Sequence, residues 1–260
     1  MANGIQGKWS QVNGATGYII YRRELKDGKW SNWTSLGTTK STAKTFTDKT
    51  VKSGVTYKYT IRAKNGSYKS SYVSTGSLVF LSVPTVKISN GITGVNVSWS
   101  KIEGATSYLV YRREVVNGKW SGWTQLKTVT ETSLVDETVK SGTNYRYTVR
   151  ALNGKSSSMY TSTGTLYYLT APTVTVEKVD GVVKVNWTQT VGAKGYTIYR
   201  AELGADGKWS KWVTLGTATE KYSSCKDKTA KTGVTYKYTV RAVNGKVKSA
   251  YVDGAQITNQ

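Results

Sequence analysis

The chain has 260 residues, with 37 Lys and Arg against 15 Asp and Glu, a net charge of +22 and no histidine. The lack of histidine removes the commonest general base, and one cysteine excludes an intrachain disulfide and a cysteine-based metal cluster. We therefore expect no catalytic residue, no metal and no cofactor. No stretch approaches the roughly 18 apolar residues of a membrane span, so membrane insertion is not expected.

The positive charge is spread over the whole chain and does not lie in one tail. Such a field attracts polyanions, which makes an anionic polymer a candidate partner; a soluble, lysine-rich surface is the alternative. The absence of a block of about five like charges argues against specific nucleic-acid binding. The amino terminus, MANGIQGKWS, is not a signal peptide, so either the chain is a piece of an exported protein or it does not use secretion.

Nine tryptophans occupy the same three places in three consecutive segments. Trp9, Trp99 and Trp187 lie about 90 residues apart, and each is followed by one of the pairs WSNW, WSGW and WSKW. This period is too long for a helical solenoid unit and has the length of an independent domain. We predict three domains, at residues 1–82, 83–170 and 171–260.

The first repeat is short at its beginning. It has only residues 1–9 where the second repeat has residues 85–99, so most of its first strand is missing. One interpretation is a boundary that falls inside a domain. The other is an open sheet edge that another chain fills by strand addition.

The second repeat predicts a full series of strands. Its segments are VKIS, GVNVSWS, SYLVYRREV, KWSGWTQLKTV, ETSLVDETV, SGTNYRYTVRAL and SSSMYTSTGTLYYL. Asn90-Gly91 is predicted to form a primed hairpin turn, and Asn117-Gly118 and Asn153-Gly154 mark two more turns. Short strands with turn signals about every 8–12 residues are typical of an all-β sandwich.

The third repeat matches the second element by element, with Asp206-Gly207 and Asn244-Gly245 at the corresponding turns. Cys225 falls where Phe46 and Leu134 fall in the other repeats, and we interpret it as a small buried hydrophobe. Pro84 and Pro172 both stand at the start of the first strand of a repeat. Short, apolar joints that contain proline predict a semi-rigid rod.

Three features in combination resemble fibronectin type III domains. They are the tryptophan of the second strand, the third-strand runs Tyr18-Ile-Ile-Tyr21, Tyr108-Leu-Val-Tyr111 and Tyr196-Thr-Ile-Tyr199, and the tyrosines Tyr57, Tyr145 and Tyr236, which match the tyrosine corner. The resemblance covers nearly the whole chain and implies an all-β fold. We expect three tandem seven-stranded immunoglobulin-like β-sandwiches in a semi-rigid rod, the first lacking most of its first strand. The integrin-binding tripeptide RGD of that family is absent.

An outward-facing aromatic and cationic cluster is the candidate ligand-binding site in each repeat. Period-2 alternation points Tyr21, Arg23 and Arg62 outward, on the face that the WSxW pair shares. The candidate residues are Trp30, Trp33, Tyr21 and Arg62 in the first repeat, Trp120, Trp123, Tyr111 and Arg150 in the second, and Trp209, Trp212, Tyr199 and Arg241 in the third. Two interpretations stay open: guanidinium groups stacked on tryptophan for stability, and a platform for sugar rings or a protein partner. The WSxW pattern also resembles the Trp–Arg ladder of cytokine receptors and thrombospondin repeats, from which only the stacking chemistry carries over.

These observations favour a non-enzymatic spacer and adhesion array of a bacterial cell-surface or secreted protein. Its expected partner is a glycan or protein ligand bound weakly at several repeats. Three alternatives remain: a dedicated binder of a host glycan or immunoglobulin, a phage or virion accessory protein, and an accessory segment of a glycan-degrading enzyme.

Overall fold

The computed structural model describes residues 4–72 and 75–259, and within them the chain forms only strands, turns and irregular segments. The first repeat contains β1 (Ile5–Lys8), β2 (Gly17–Lys26), β3 (Lys29–Trp30), β4 (Thr34–Lys40), β5 (Thr45–Asp48), β6 (Thr56–Asn65), β7 (Tyr68–Lys69) and β8 (Leu78–Val79). The second contains β9 (Val86–Asn90), β10 (Val95–Trp99), β11 (Ser107–Val116), β12 (Lys119–Trp120), β13 (Thr124–Val129), β14 (Ser133–Asp136), β15 (Thr143–Asn153), β16 (Ser156–Ser157) and β17 (Leu166–Tyr168). The third contains β18 (Val174–Val179), β19 (Val182–Trp187), β20 (Gly195–Glu202), β21 (Val213–Thr219), β22 (Ser224–Asp227), β23 (Val234–Asn244), β24 (Val247–Lys248) and β25 (Ala255–Asn259).

Two antiparallel sheets face each other in the second repeat. One has the order β14-β10-β9, and the other has β12-β11-β15-β16, with β13 also paired to β11 and β17 to β15. Along β10, Val95, Val97 and Trp99 are buried and the residues between them are exposed, as expected for a strand with one face on a core. The third repeat has the matching sheets β18-β19-β22 and β21-β20-β23-β24, with β25 on β23. The predicted all-β sandwich fold is confirmed.

Two predicted strands are interrupted. The segment KWSGWTQLKTV divides into β12 and β13 around Ser121, and the last predicted strand divides into β16 and β17. The prediction of a primed turn at Asn90-Gly91 is wrong, because neither residue has a positive φ. The chain instead makes a longer loop in which Gly91 donates a backbone hydrogen bond to Gly94 at 2.7 Å. Asn117 and Gly118 do have positive φ values, 49° and 75°, as a primed turn requires.

Among the described residues, the buried side chains fall into three clusters, one for each repeat. Leu81 belongs to the cluster of the second repeat and Leu169 to that of the third. The ends of the first and second repeats therefore each anchor in the core of the next repeat. Domain boundaries at 82/83 and 170/171 stay a prediction.

The first repeat lacks a counterpart of β9 and β18 among its described residues. Its β1 pairs only with β5, in a two-stranded sheet, with Ile5 opposite Asp48 and Gly7 opposite Phe46. A Cβ at Gly7 would lie 2.7 Å from the Phe46 ring, so this ring fills space that Val97 occupies in the second repeat. The expectation of a missing first strand is confirmed for this part of the chain.

Both joints between repeats use the same contacts. At the first joint, the Ser53 hydroxyl accepts a hydrogen bond from the Ser82 backbone N–H at 3.0 Å and donates one to the Glu103 carbonyl at 2.9 Å. At the second joint, Ser141 accepts from Thr170 at 3.1 Å and donates to Val191 at 2.8 Å. At each joint a single serine thus bonds both to the linker and to the next repeat, which supports a stiff connection.

Candidate functional site

The serine of each WSxW pair shapes the surface on which the tryptophans lie. In the second repeat, the Ser121 hydroxyl accepts from the Glu114 N–H at 3.1 Å and donates to the Gly122 carbonyl at 3.0 Å, and the Ser121 N–H donates to the Glu114 carbonyl at 2.8 Å. Ser31 and Ser210 make the corresponding bonds. This local bonding interrupts the strand and brings both tryptophans of a pair to the outer face of β11 and its equivalents.

In the first two repeats an arginine lies between the two tryptophans. The Arg23 guanidinium is 5.0 Å from the Trp30 ring centroid and 4.7 Å from that of Trp33. Arg113 is 5.0 and 4.8 Å from Trp120 and Trp123 in the same way. We call this arrangement the Trp–Arg stack. A second cation also covers the first tryptophan: Lys58 lies 4.8 Å from Trp30 and Arg146 lies 4.6 Å from Trp120.

No arginine lies between Trp209 and Trp212 among the described residues of the third repeat. Ala201, which is 3% exposed, takes the place of Arg113, although Lys237 still lies 4.5 Å from the Trp209 ring. Trp212 packs its ring edge against Gly254 and stays 37% exposed. The three predicted sites therefore differ in how much aromatic surface they leave uncovered.

The predicted arginines stack on aromatic rings outside the tryptophan pairs. Arg62 lies 5.5 Å from Tyr72, Arg150 lies 5.8 Å from Tyr160, and Arg241 lies 4.3 Å from Tyr251. Each arginine Nε also donates to the backbone carbonyl of the serine directly after the following strand (Ser70, Ser158 and Ser249), at 2.7, 3.0 and 2.6 Å. These tyrosines and the stacked Arg23 and Arg113 were not among the predicted site residues.

A small pocket in the second repeat brings three of the predicted residues together. Tyr111, Trp123 and Arg150 line it, with Tyr160 and Thr148, around a volume of about 170 Å³. We call it the Trp123 pocket. Trp120 does not line it.

The equivalent places in the other two repeats hold aromatic contacts. Tyr72 packs against Trp33 at 6.3 Å between ring centroids in the first repeat. Tyr251 packs against Tyr199 at 5.4 Å in the third. The second repeat therefore offers a recess between aromatic side chains, whereas these rings close on each other in its neighbours.

A buried aspartate supports each site from the opposite side of the sheet. The Asp136 carboxylate accepts from Arg112 at 2.9 Å, from the Tyr147 hydroxyl at 2.8 Å, and from the Thr138 hydroxyl and N–H at 2.6 and 3.1 Å. The contacts of Asp136 with Thr138, two residues on, cap the turn that follows β14 and are one part of a larger network. Asp48 and Asp227 make the same four contacts in their repeats.

These networks predict acid sensitivity. Burial acts to raise the pKa of Asp136, but the hydrogen bonds from Thr138, Tyr147 and Arg112 outweigh it and hold the pKa below its usual value. A carboxyl whose pKa is lowered on folding stabilises the protein above its unfolded pKa of about 3.9 and loses that contribution as the pH falls below it. We expect the melting temperature to be steady near pH 6 and to fall below about pH 4.

A pH series of thermal melts checks this expectation, with Asp136→Asn as the matched variant. Because the amide that replaces the carboxyl does not titrate, the second repeat of the variant should show a smaller loss of stability on acidification than that of the wild-type chain. An equal loss in both proteins would count against the buried carboxyl as the cause.

Other chemistry finds little support in the part of the chain that the structure describes. No group of three or more His, Cys, Asp or Glu residues there could hold a metal ion, and no helix there is suited to span a membrane. Cys225 is half-buried opposite Val185, and burial, followed by the nearby Asp227, raises the pKa of its thiol. This environment fits its interpretation as a small core residue.

No protein-family model matches the sequence, and no curated protein matches it. Among solved structures, the FN1–FN3 domains of chicken CNTN1 share 16% identity with a TM-score of 0.31, covering 98% of this chain and 94% of that one. A segment of two fibronectin type III domains from chicken tenascin shares 18% with a TM-score of 0.36, covering 68% and 99%. The chicken interferon gamma receptor alpha chain shares 12% with a TM-score of 0.38, covering 68% and 97%.

The fold assignment rests on the strand order and contacts of the chain itself. The hydroxyls of Tyr57, Tyr145 and Tyr236 accept hydrogen bonds from the backbone N–H five residues upstream, at Lys52, Lys140 and Lys231, with lengths of 2.9, 2.7 and 3.1 Å. This is the bond of a tyrosine corner. The chain is built of tandem antiparallel β-sandwiches, each with a tyrosine corner.

Proposed function

We propose that this chain is a non-enzymatic spacer and adhesion array of a bacterial cell-surface or secreted protein, and that it binds acidic glycans weakly at several repeats. The observation that carries the proposal is the Trp123 pocket, where aromatic rings and a fixed cation surround a recess of about 170 Å³. The hydrogen bonds of Ser53 and Ser141 at the two joints support the role as a spacer, because they hold successive repeats at a fixed distance.

The pocket has the chemistry for one ring that carries an anionic group. Trp123 and Tyr160 offer apolar ring faces, and Tyr111 and Thr148 offer hydroxyls. Arg150 is held in place because its guanidinium donates to the Ser158 carbonyl at 3.0 Å and to the Ser157 hydroxyl at 2.6 Å. A guanidinium with donors left over is suited to a carboxylate or sulfate. The volume of about 170 Å³ is below that of a drug-sized site, which fits weak binding.

The remaining repeats add avidity and long-range attraction. Trp212 and the exposed Tyr222 and Tyr251 of the third repeat give further aromatic surface. The net charge of +22 draws an anionic polymer towards all three repeats. Weak sites on one stiff chain can together bind a polymer that each alone would release.

The chain also carries a shallow depression of about 450 Å³ beside Trp209, with Glu202 and Asp206 in its lining. Arg200 and Lys208 share that lining, so its carboxylates lie among cations. We assign it no reaction. The absence of a reaction can be checked by incubating the purified chain with glycans and analysing the mixture for shortened products. Cleavage of a glycan would contradict the proposal.

Trp123→Ala is expected to weaken capture of a sulfated or uronic-acid oligosaccharide about fivefold to tenfold, because ring stacking contributes about 1 kcal/mol or more. Titration of the full chain at low and at high salt measures the effect. Salt screens the general attraction, so the Trp123 contribution should persist at high salt.

Trp120→Ala is the matched control. Trp120 is covered by Arg113 and Arg146 and does not line the pocket, so its loss should lower stability and leave binding unchanged. If Trp123→Ala lowers the melting temperature without any change in binding, the tryptophans serve the fold alone.

A further inference from the structure

We propose that a single position decides whether a repeat binds a ligand: a serine there keeps the pocket open, and a lysine closes it. Ser157, opposite Leu152 on β15, holds this position in the second repeat. Lys248, opposite Val243 on β23, holds it in the third repeat, and Lys69 holds it in the first. We call it the hairpin position. The inference rests on the proposed function, because it concerns the Trp123 pocket and its equivalents.

The serine of the second repeat fixes the arginine of the pocket. Arg150 Nη2 donates to the Ser157 hydroxyl at 2.6 Å, and Arg150 Nε donates to the Ser158 carbonyl at 3.0 Å. Held at these two points, the guanidinium lies 5.8 Å from the centroid of the Tyr160 ring. Tyr160 and Tyr111 then line opposite parts of an open recess.

A lysine at the hairpin position cannot hold an arginine in this way, because an ammonium group donates hydrogen bonds but accepts none. In the third repeat, Lys248 Nζ donates instead to the Tyr199 hydroxyl at 3.4 Å. The Arg241 guanidinium lies 4.3 Å from the Tyr251 ring centroid, closer than its counterpart in the second repeat. Tyr251 packs against Tyr199, which is 7% exposed. The rings of the chain itself therefore fill the place of the recess.

The electrostatics of the third repeat agree with this contact. Burial acts to raise the pKa of Tyr199, but the hydrogen bonds of Lys248 and Tyr251 and the charges of Lys248 and Arg241 outweigh it, so the pKa lies below its ordinary value. The backbone carbonyl of Lys248 also accepts from Asn90 Nδ2 of the second repeat at 3.1 Å. This bond fixes the backbone from which the lysine reaches Tyr199.

The hairpin position and the general charge of the chain predict opposite effects. An acidic glycan is attracted by every added lysine. Under the proposal, Ser157→Lys weakens binding although it adds a positive charge, and Lys248→Ser creates a site although it removes one. The sign of each effect therefore separates closure of the pocket from long-range attraction.

Titration of the full chain with an oligosaccharide of galacturonic acid at high salt measures these effects. We expect Ser157→Lys to weaken binding about fivefold, because Arg150 loses a hydrogen-bond acceptor that positions it. Ser157→Thr keeps the hydroxyl and should stay within about twofold of the wild-type chain. Lys248→Ser should add a second binding site. Lys246→Ser is the matched control, since it removes the same charge at an exposed position two residues earlier and should add none.

The conformation of the third repeat gives a readout that needs no ligand. In Lys248→Ser we expect the NMR contacts between the Tyr199 and Tyr251 rings to disappear and the pKa of Tyr199 to rise towards its ordinary value. Both should stay unchanged in Lys246→Ser.

Two results would overturn the proposal. If the ring contacts persist in Lys248→Ser, the packing of Trp212 on Gly254 closes the third repeat instead. Equal or tighter binding by Ser157→Lys would show that the hairpin position does not control the pocket. Failure of the proposed function looks different: the wild-type chain then binds no oligosaccharide, and the ring contacts still decide the role of Lys248.

Discussion

Replacing Asp136 with alanine is expected to destabilise the second repeat by about 2–4 kcal/mol, because it removes a buried charged acceptor of four hydrogen bonds and leaves Arg112 with only Glu114, at 3.8 Å, as a carboxylate partner among the described residues. Asp136 is 3% exposed, and its carboxylate holds Arg112, Tyr147 and Thr138. A small domain has little surplus stability, so a loss of this size brings the repeat close to unfolding. Chemical denaturation followed by hydrogen exchange of β11 and β15 amides measures it.

Two further variants separate the charge from the hydrogen bonds. Asp136→Asn keeps an oxygen that accepts from Thr138 but removes the charge that faces Arg112, so we expect an intermediate loss. Glu137→Ala, at the adjacent exposed position, should change stability by less than about 0.5 kcal/mol. Equal effects of Asp136→Ala and Glu137→Ala would show that the network contributes nothing.

Replacing Gly104 with alanine is expected to force the first joint open. Gly104 has a φ of +78°, and a Cβ there would overlap the Cα of Gly54 across the joint. The conformation alone costs about 1–2 kcal/mol for a residue with a side chain. The overlap adds to this cost, because backbone on both sides must move and the Ser53 bond to the Glu103 carbonyl at 2.9 Å is lost. Small-angle scattering and residual dipolar couplings report the change in orientation.

Gly14→Ala is the control for this variant. Gly14 occupies the same turn of the first repeat with a φ of +76°, but no atom lies within 4 Å of its would-be Cβ. It should carry the conformational cost without disturbing a joint. If both variants leave the relative orientation of the first two repeats unchanged, the close glycine contact does not set it.

The buried core residues and the tyrosine corners could be predicted from the sequence pattern alone. Val95, Val97 and Trp99 alternate with polar residues, and Tyr145 stands where a tyrosine corner needs it. Both signals are local, so no knowledge of distant residues is required.

The candidate site could be predicted only in part, because its geometry depends on register. The pairing of β11 with β13 shifts between Val110 and Tyr111, and alternation alone cannot show such a shift. Alternation also leaves open which outward cation meets the tryptophans: Arg113 takes that place, whereas Arg150 stacks on Tyr160. The ion pair of Asp136 with Arg112 was missed for a related reason, since its members are 24 residues apart in sequence and meet only across the folded sandwich.

The shared serine and glycine contacts of the two joints have a geometric consequence. When one repeat meets the next through the same head-to-tail contact each time, every step applies the same rotation and translation, and the steps together trace a helix. Corresponding surfaces then recur at a constant pitch and turn progressively about one axis. A flexible polymer that winds along this path meets surface after surface, while a flat and rigid partner meets few of them.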